Sequence, residues 1–169
     1  IIGYSLGGNV LLNFLAKYPD AGLSAAVAVS VPYELDRCVA HMQRGFSRIY
    51  QARLLTCLHQ SMRRKMSDFR RYRTLRDFDH HVTAPLHGFE SAEDYYQQCS
   101  SRQFLKQITV PTLLIHALND PLIPADAIPT AEELSAAICL EVFKQGGHVG
   151  FVYGKTPFHA KYWLEERIP

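Results

Sequence analysis

No apolar run in this chain approaches the roughly 20 residues that a helix needs to cross a bilayer, because charges and prolines interrupt every hydrophobic stretch. A spanning helix is therefore not expected. The first residues, Ile1-Ile2-Gly3-Tyr4, carry no initiating Met, charged leader or small-residue cleavage site. They read as the interior of a domain and not as a signal peptide. The four cysteines, Cys38, Cys57, Cys99 and Cys139, form no C-x-x-C pair, which argues against a zinc ribbon or a thioredoxin-like site. Buried free thiols in a reducing cytoplasm are the expectation. One-signed charge is also missing, since 18 Lys and Arg stand against 16 Asp and Glu for a net +2. What remains is a chain of 169 residues, 47% apolar, long enough to bury a core and unlike disordered or collagenous sequences.

The apolar residues that are present follow two periods. Leu11, Phe14, Leu15 and Tyr18 recur at i, i+3, i+4 and i+7, the stripe of an amphipathic helix, which Pro19 and Gly22 close. Leu23 to Val31 is a nearly continuous run of small and β-branched residues, as in a strand buried on both faces, and Val110 to His116 reads the same way. A short strand is expected at Leu140–Phe143, after a helical pattern at Ala131–Ile138, and a last helix from about Pro157 towards Glu166. Strands without polar alternation, separated by helical patterns, imply an α/β class: a parallel sheet with helices on both faces. The long, mostly helical, Arg-rich stretch between Val31 and Val110 exceeds a simple crossover, so residues 37–100 are expected to form a helical cap insertion.

Gly3-Tyr4-Ser5-Leu6-Gly7 matches G-x-S-x-G, in which a serine occupies a tight strand-to-helix turn with its hydroxyl projecting. Gly3 and Gly7 lack Cβ atoms and would let strand and helix approach closely. An ordinary glycine-rich turn is the competing reading. Against it, an acid and a base follow in the order Ser, Asp, His, each just past a predicted strand. Asp120 closes LLIHALND, at the sheet end where ligand-facing residues gather, although an Asp before Pro121 also suits a simple turn. His148 follows Gly146-Gly147. In such a triad His148 takes the proton of the Ser5 hydroxyl and Asp120 fixes the imidazole. The backbone N–H of Leu6 would be one oxyanion donor, and the second would come from a loop earlier in the fold. Asp126 is the weaker alternative acid.

The phrases GYSLGGN, RGFSRIYQ, RDFDHHVTAPLHGFESAEDYY, VPTLLIHALNDPLIP and GGHVGF together resemble the YheT-like family of α/β-hydrolases, over nearly the whole chain. The resemblance implies the α/β-hydrolase fold and an esterase-type hydrolase with its triad on Ser5, Asp120 and His148, acting on a small-molecule ester or lipid ester. It also implies that residues 1–169 are the carboxy-terminal part of one domain. An exposed sheet edge, an incomplete site and an inactive isolated chain would follow, with activity in the full-length protein. The family includes acyltransferases, so acyl transfer to an alcohol is the alternative within enzymes. Outside them, the alternative is a non-catalytic interaction fragment.

Several further features are read as structural. Arg63, Arg64, Lys65, Arg70, Arg71, Arg73 and Arg76 interleave with Phe69 and Tyr72, but Asp68, Asp77 and Asp79 are mixed among them. A solvated helical face is expected there, with no nucleic-acid partner. His80, His81 and His87 lack metal-ligand spacing, and no metal or cofactor is expected. Phe46, Tyr50, Leu54, Leu55 and Leu58 recur at helical spacing and are expected to pack in the core, some of them lining an acyl pocket.

Overall fold

A computed structural model describes residues 1–65, 70–154 and 159–168. Four strands, β1 (Ile2–Tyr4), β2 (Ala26–Val29), β3 (Thr112–Ala117) and β4 (Ile138–Phe143), form a parallel sheet in the order β1-β2-β3-β4. A short antiparallel pair, β5 (Val152–Tyr153) and β6 (Lys161–Tyr162), stands apart from it. The helices are α1 (Leu6–Lys17), α2 (Leu35–Met42), α3 (Ser47–Arg63), α4 (Leu75–Phe78), α5 (Ala84–Leu86), α6 (Ala92–Cys99) and α7 (Trp163–Arg167). A π-helical turn, Asp79–Thr83, joins α4 to α5. Of the last helix expected from about Pro157 towards Glu166, Pro157 and Phe158 lie outside the described residues, as do Asp68 and Phe69; Lys161–Tyr162 form β6 instead, and the helix is confined to α7, Trp163–Arg167.

Side-chain alternation along the strands explains why both faces of the sheet are covered. Ala26, Ala28 and Leu114 point to one side, where they pack with Leu11, Leu12 and Leu15 of α1 and with Leu105 and Ile108. Val29, Ile115 and Ala117 point to the other, against Phe151, Leu164 and Ile168. Leu12 and Leu15 have no exposed surface, so each contributes on the order of 2 kcal/mol by burial. A third apolar cluster, including Leu35, Val39, Leu55, Phe78, Val82 and Tyr96, belongs to the helical segment between β2 and β3. That segment is tied back to the body by Asn9, whose buried amide donates to Cys99 O and accepts from Ser101 N. Arg102 donates two hydrogen bonds to the Glu133 carboxylate and one to Glu34, in a partly exposed setting.

Several expectations need correction. The apolar stripe on α1 divides: Leu11 and Leu15 are buried, whereas Phe14 and Tyr18 are exposed together with Val10. β1 forms an outer strand with Ile2 and Tyr4 exposed, which is the open edge expected. The helical pattern at Ala131–Ile138 yields only one 3₁₀ turn, Ala131–Glu133, with a Thr130–Glu133 capping box. Ser135 then accepts from Ala137 N, a local bond that competes with a helix, and donates its hydroxyl to the distant Ile108 O. Phe46 is 69% exposed and so is not core, while Leu55 is. Of the cysteines, all free, only Cys38 is buried; Cys57 and Cys139 are exposed.

The close approach of strand and helix lies at Gly3 and Gly8 and not at Gly7. A Cβ on Gly3 would stand 2.8 Å from Gly7 O and Gly8 Cα, and one on Gly8 would stand 2.6 Å from Val31 Cγ2, but one on Gly7 would meet nothing within 4 Å. Gly3→Ala must therefore move backbone against backbone and is expected to lower the unfolding free energy by about 1–3 kcal/mol, whereas Gly7→Ala should not lower it. Urea unfolding of the two variants side by side checks this.

His116 of β3 is completely buried, and neither ring nitrogen has a hydrogen-bond partner. Burial lowers its pKa from 6.5 to about 4, with the neighbouring Asp120 carboxylate pulling upward and His148 pulling down. The unfolded chain thus takes up a proton near pH 6.5 that the folded chain refuses until about pH 4. Stability falls as pH drops through that window and is unaffected by this group above it. His116→Asn should remove a component on the order of 3 kcal/mol from the acid limb of the stability profile. Urea unfolding at pH 7, 5.5 and 4 measures it.

Candidate active site

Ser5 follows β1 directly and stands before α1, with φ 50° and ψ −124°. A non-glycine residue in that region is strained, and the surrounding sheet must hold it there. The hold is visible: Ser5 N donates to Val29 O of β2 at 2.8 Å, while Ser5 O accepts from Gly8 N and Asn9 N as α1 begins. Helix α1 leaves at once, so the side chain stands clear at the carboxyl end of the sheet, half-buried.

The loop after β4 brings His148 over it. Asn119 Oδ1 accepts from both Gly146 N and Gly147 N at 2.9 Å, and the Ser30 hydroxyl donates to His148 O. Gly147 has φ +64°, and a Cβ on Gly146 would stand 2.7 Å from the Phe151 ring, so this turn requires both glycines. Phe151 anchors the far side, ringed by Phe143 and Trp163.

The result is a continuous hydrogen-bonded line. His148 Nε2 lies 2.8 Å from Ser5 Oγ, and His148 Nδ1 lies 2.8 Å from Asp120 Oδ2. Asp120 is 5% exposed. Its two oxygens are divided between the two readings of the sequence: Oδ1 accepts from Leu122 N at 2.8 Å and Ile123 N at 3.3 Å, forming the turn, while Oδ2 faces the imidazole. A second imidazole, His116 Nε2, stands 3.8 Å from the same Oδ2. Two backbone donors and the His148 imidazole thus occupy this buried carboxylate. With Nδ1–H donated to Asp120, Nε2 is left as the acceptor for the Ser5 hydroxyl.

All three sequence candidates are thus brought together, and Leu6 is placed as the first residue of α1, beside Ser5. Asp126 is not: its side chain is 73% exposed and pairs with Arg37. His80 and His81 stand exposed with their rings edge to face, and His81 stacks on Tyr72. Among the described residues no group of three or more His, Cys, Asp or Glu is arranged to hold a metal. The sequence reading missed Ser30, Asn119 and His116. For Asn119 a signal existed in its place beside Asp120; Ser30 and His116 look like ordinary strand residues.

From Ser5 and His148 a cavity of about 400 Å³ runs beneath the helical segment. Its walls are apolar, with Leu35, Val39, Met42, Leu54, Leu58 and Leu122 among them. Asp79 also lines it, and its carboxylate accepts from Tyr96 OH at 2.6 Å and Thr83 Oγ1 at 2.7 Å. Burial pushes the Asp79 pKa up, against those two bonds and the Arg76 charge.

Comparison with known proteins agrees with this architecture. The chain is 43% identical, over 99% of its length, to the Escherichia coli (strain K12) protein named Putative esterase YheT, of which it covers 53%. It is 31% identical to Phospholipase ABHD3 of Mus musculus, covering 95% of this chain and 42% of that protein. It is 30% identical to Monoacylglycerol lipase of Saccharomyces cerevisiae (strain ATCC 204508 / S288c), covering 99% and 40%. The chain therefore spans about half the length of the curated relatives it matches. The crystal structure of the 2,6-dihydroxy-pseudo-oxynicotine hydrolase superposes on 87% of this chain and 33% of its own, with a TM-score of 0.50 at 21% identity, a likeness of fold alone. The family model for the alpha/beta hydrolase fold matches residues 1–155, and with the parallel sheet, the strained serine and these relatives in view, the chain belongs to the α/β-hydrolase family.

Proposed function

We propose that the full-length protein is a serine esterase that cleaves carboxylic esters through an acyl-enzyme intermediate. The observation that carries this reading is the line Ser5 Oγ, His148 Nε2, His148 Nδ1, Asp120 Oδ2, with both links at 2.8 Å and the serine on a strained turn.

Each step follows from that line. Ser5 Oγ attacks the ester carbonyl carbon as His148 Nε2 takes its proton, which a neutral hydroxyl needs in order to act as a nucleophile. Asp120 Oδ2, holding Nδ1–H, fixes the tautomer and stabilises the imidazolium. The carbonyl oxygen becomes an oxyanion, and Leu6 N–H, at the start of α1, donates to it with the aid of the helix dipole. His148 returns the proton to the departing alcohol. Water then repeats the sequence on the acyl-Ser5 ester, releasing the acid and restoring the hydroxyl.

Residues 37–100 act as the cap, and the apolar cavity beneath it favours an ester with an apolar acyl chain. The phospholipase and monoacylglycerol lipase names among the relatives support lipid esters as substrates. In the full-length protein, Ser5→Ala and His148→Ala should each lower kcat/KM for an aryl ester of a medium-chain acid by about 10⁴-fold or more, and Asp120→Asn by on the order of 10⁴-fold. Asp126→Asn should leave it within about 2-fold, because that side chain pairs with Arg37 at the surface. Steady-state kinetics on the four variants, each with a far-ultraviolet circular dichroism spectrum, separates loss of chemistry from loss of fold.

A further inference from the structure

We propose that the outer face of α3 is a docking surface for an anionic lipid bilayer. The helix buries Ser47, Gln51 and Leu55 against the rest of the cap and turns the opposite face outward. At the start of that face Phe46 is 69% exposed and Ile49 61% exposed. These two lie at i and i+3 with Arg53 at i+7, so all three share one side of the helix. Arg48, also exposed, stands about 100° round the helix from Ile49, and exposed Arg44 precedes the helix.

Charge decides which partner fits. From Arg37 to Lys65 every fully charged side chain is a cation, with no Asp or Glu in the whole stretch. None of Arg44, Arg48 and Arg53 forms an ion pair with a described residue, whereas Arg76, further along the basic sequence, is neutralised by Asp36 and Glu93. Exposed apolar side chains with one unpaired cation on their face and two more close by match a surface with an apolar interior and an anionic boundary. A second exposed apolar face, along α1, adjoins the open backbone edge of β1, and unpaired strand amides and carbonyls are matched by protein and not by lipid. Nucleic acid would satisfy the arginines of α3 but would leave Ile49 and Phe46 against a polar groove.

The location gives the surface a use. Leu54, on the flank of the same helix, is 41% exposed and also lines the cavity that reaches Ser5. A bilayer held against α3 therefore lies beside the cavity wall. The surface is additional to the esterase reading and its binding does not depend on that reading.

The test uses the full-length protein and sedimentation with vesicles of phosphatidylcholine alone or with 30% phosphatidylglycerol, at low and high salt. Binding should be at least about 10-fold tighter to the anionic vesicles and weaken with salt. Arg48→Gln combined with Arg53→Gln should reduce anionic binding about 10-fold or more, and Ile49→Ser should reduce it about 5-fold. Both variants should keep wild-type turnover of a water-soluble ester, which also reports that they fold. Equal binding to the two vesicle types, or binding that survives both variants, overturns the proposal. So does single-stranded RNA that displaces the vesicles at equal charge concentration, which would assign the surface to nucleic acid. Because sedimentation is read without turnover, a failed esterase reading leaves this result intact.

Discussion

The imidazole of His148 holds the site together, since it bonds a serine 143 residues away in sequence and an aspartate 28 residues away. Neither bond can form unless three separate strand ends are in register. The parallel pairing of β1, β2, β3 and β4 sets that register, with Ser5 N on Val29 O, Ser30 N on Ile115 O and Leu118 N on Phe143 O continuing the ladder past the strands. The loop of His148 is then fastened sideways, to Asn119 on the turn after β3 and to Ser30 after β2. Precision here comes from backbone bonds made at the sheet end, not from the triad itself. Asp120 illustrates the economy of the arrangement, using one oxygen to build its turn and the other to orient the base.

Much of this was legible because the signals are short in range. The buried strands announce themselves as apolar runs between glycine and proline, and β2 and β3 fall inside or nearly inside the stretches expected. The elbow is a five-residue pattern, and the order Ser, Asp, His placed the other two members at strand ends. What could not be read depended on contacts from elsewhere in the chain. Gly8 is needed because Val31 approaches it, and nothing in GYSLGGN distinguishes it from Gly7. Ala131–Ile138 has the composition of a helix, but Ser135 is captured by Ile108 O, 27 residues away, and the backbone turns into β4. The helices after β2 were visible as a group, though not the π turn at Asp79, where a half-buried carboxylate bridges Thr83 and Tyr96.

The cavity combines two kinds of lining. Ser5 and His148 carry the hydrogen-bonded line to the buried Asp120, through which the proposed mechanism passes a proton. Most of the remaining lining is apolar, with Asp79, Thr83 and Tyr96 as a hydrogen-bonded polar cluster among it. α3 contributes to both the cavity and the outer surface, with Leu54 and Leu58 on one flank and Ile49 on the other side.

The central claim is that Ser5 carries the acyl group between two half-reactions. Rapid-quench mass spectrometry of the full-length protein, mixed with excess aryl ester of a medium-chain acid, tests it most directly. The account predicts a burst of aryl alcohol close to one equivalent per site, and a peptide containing Ser5 heavier by the mass of the acyl group. Alcohol release with no adduct on that peptide, at a rate unchanged by Ser5→Ala, would contradict it.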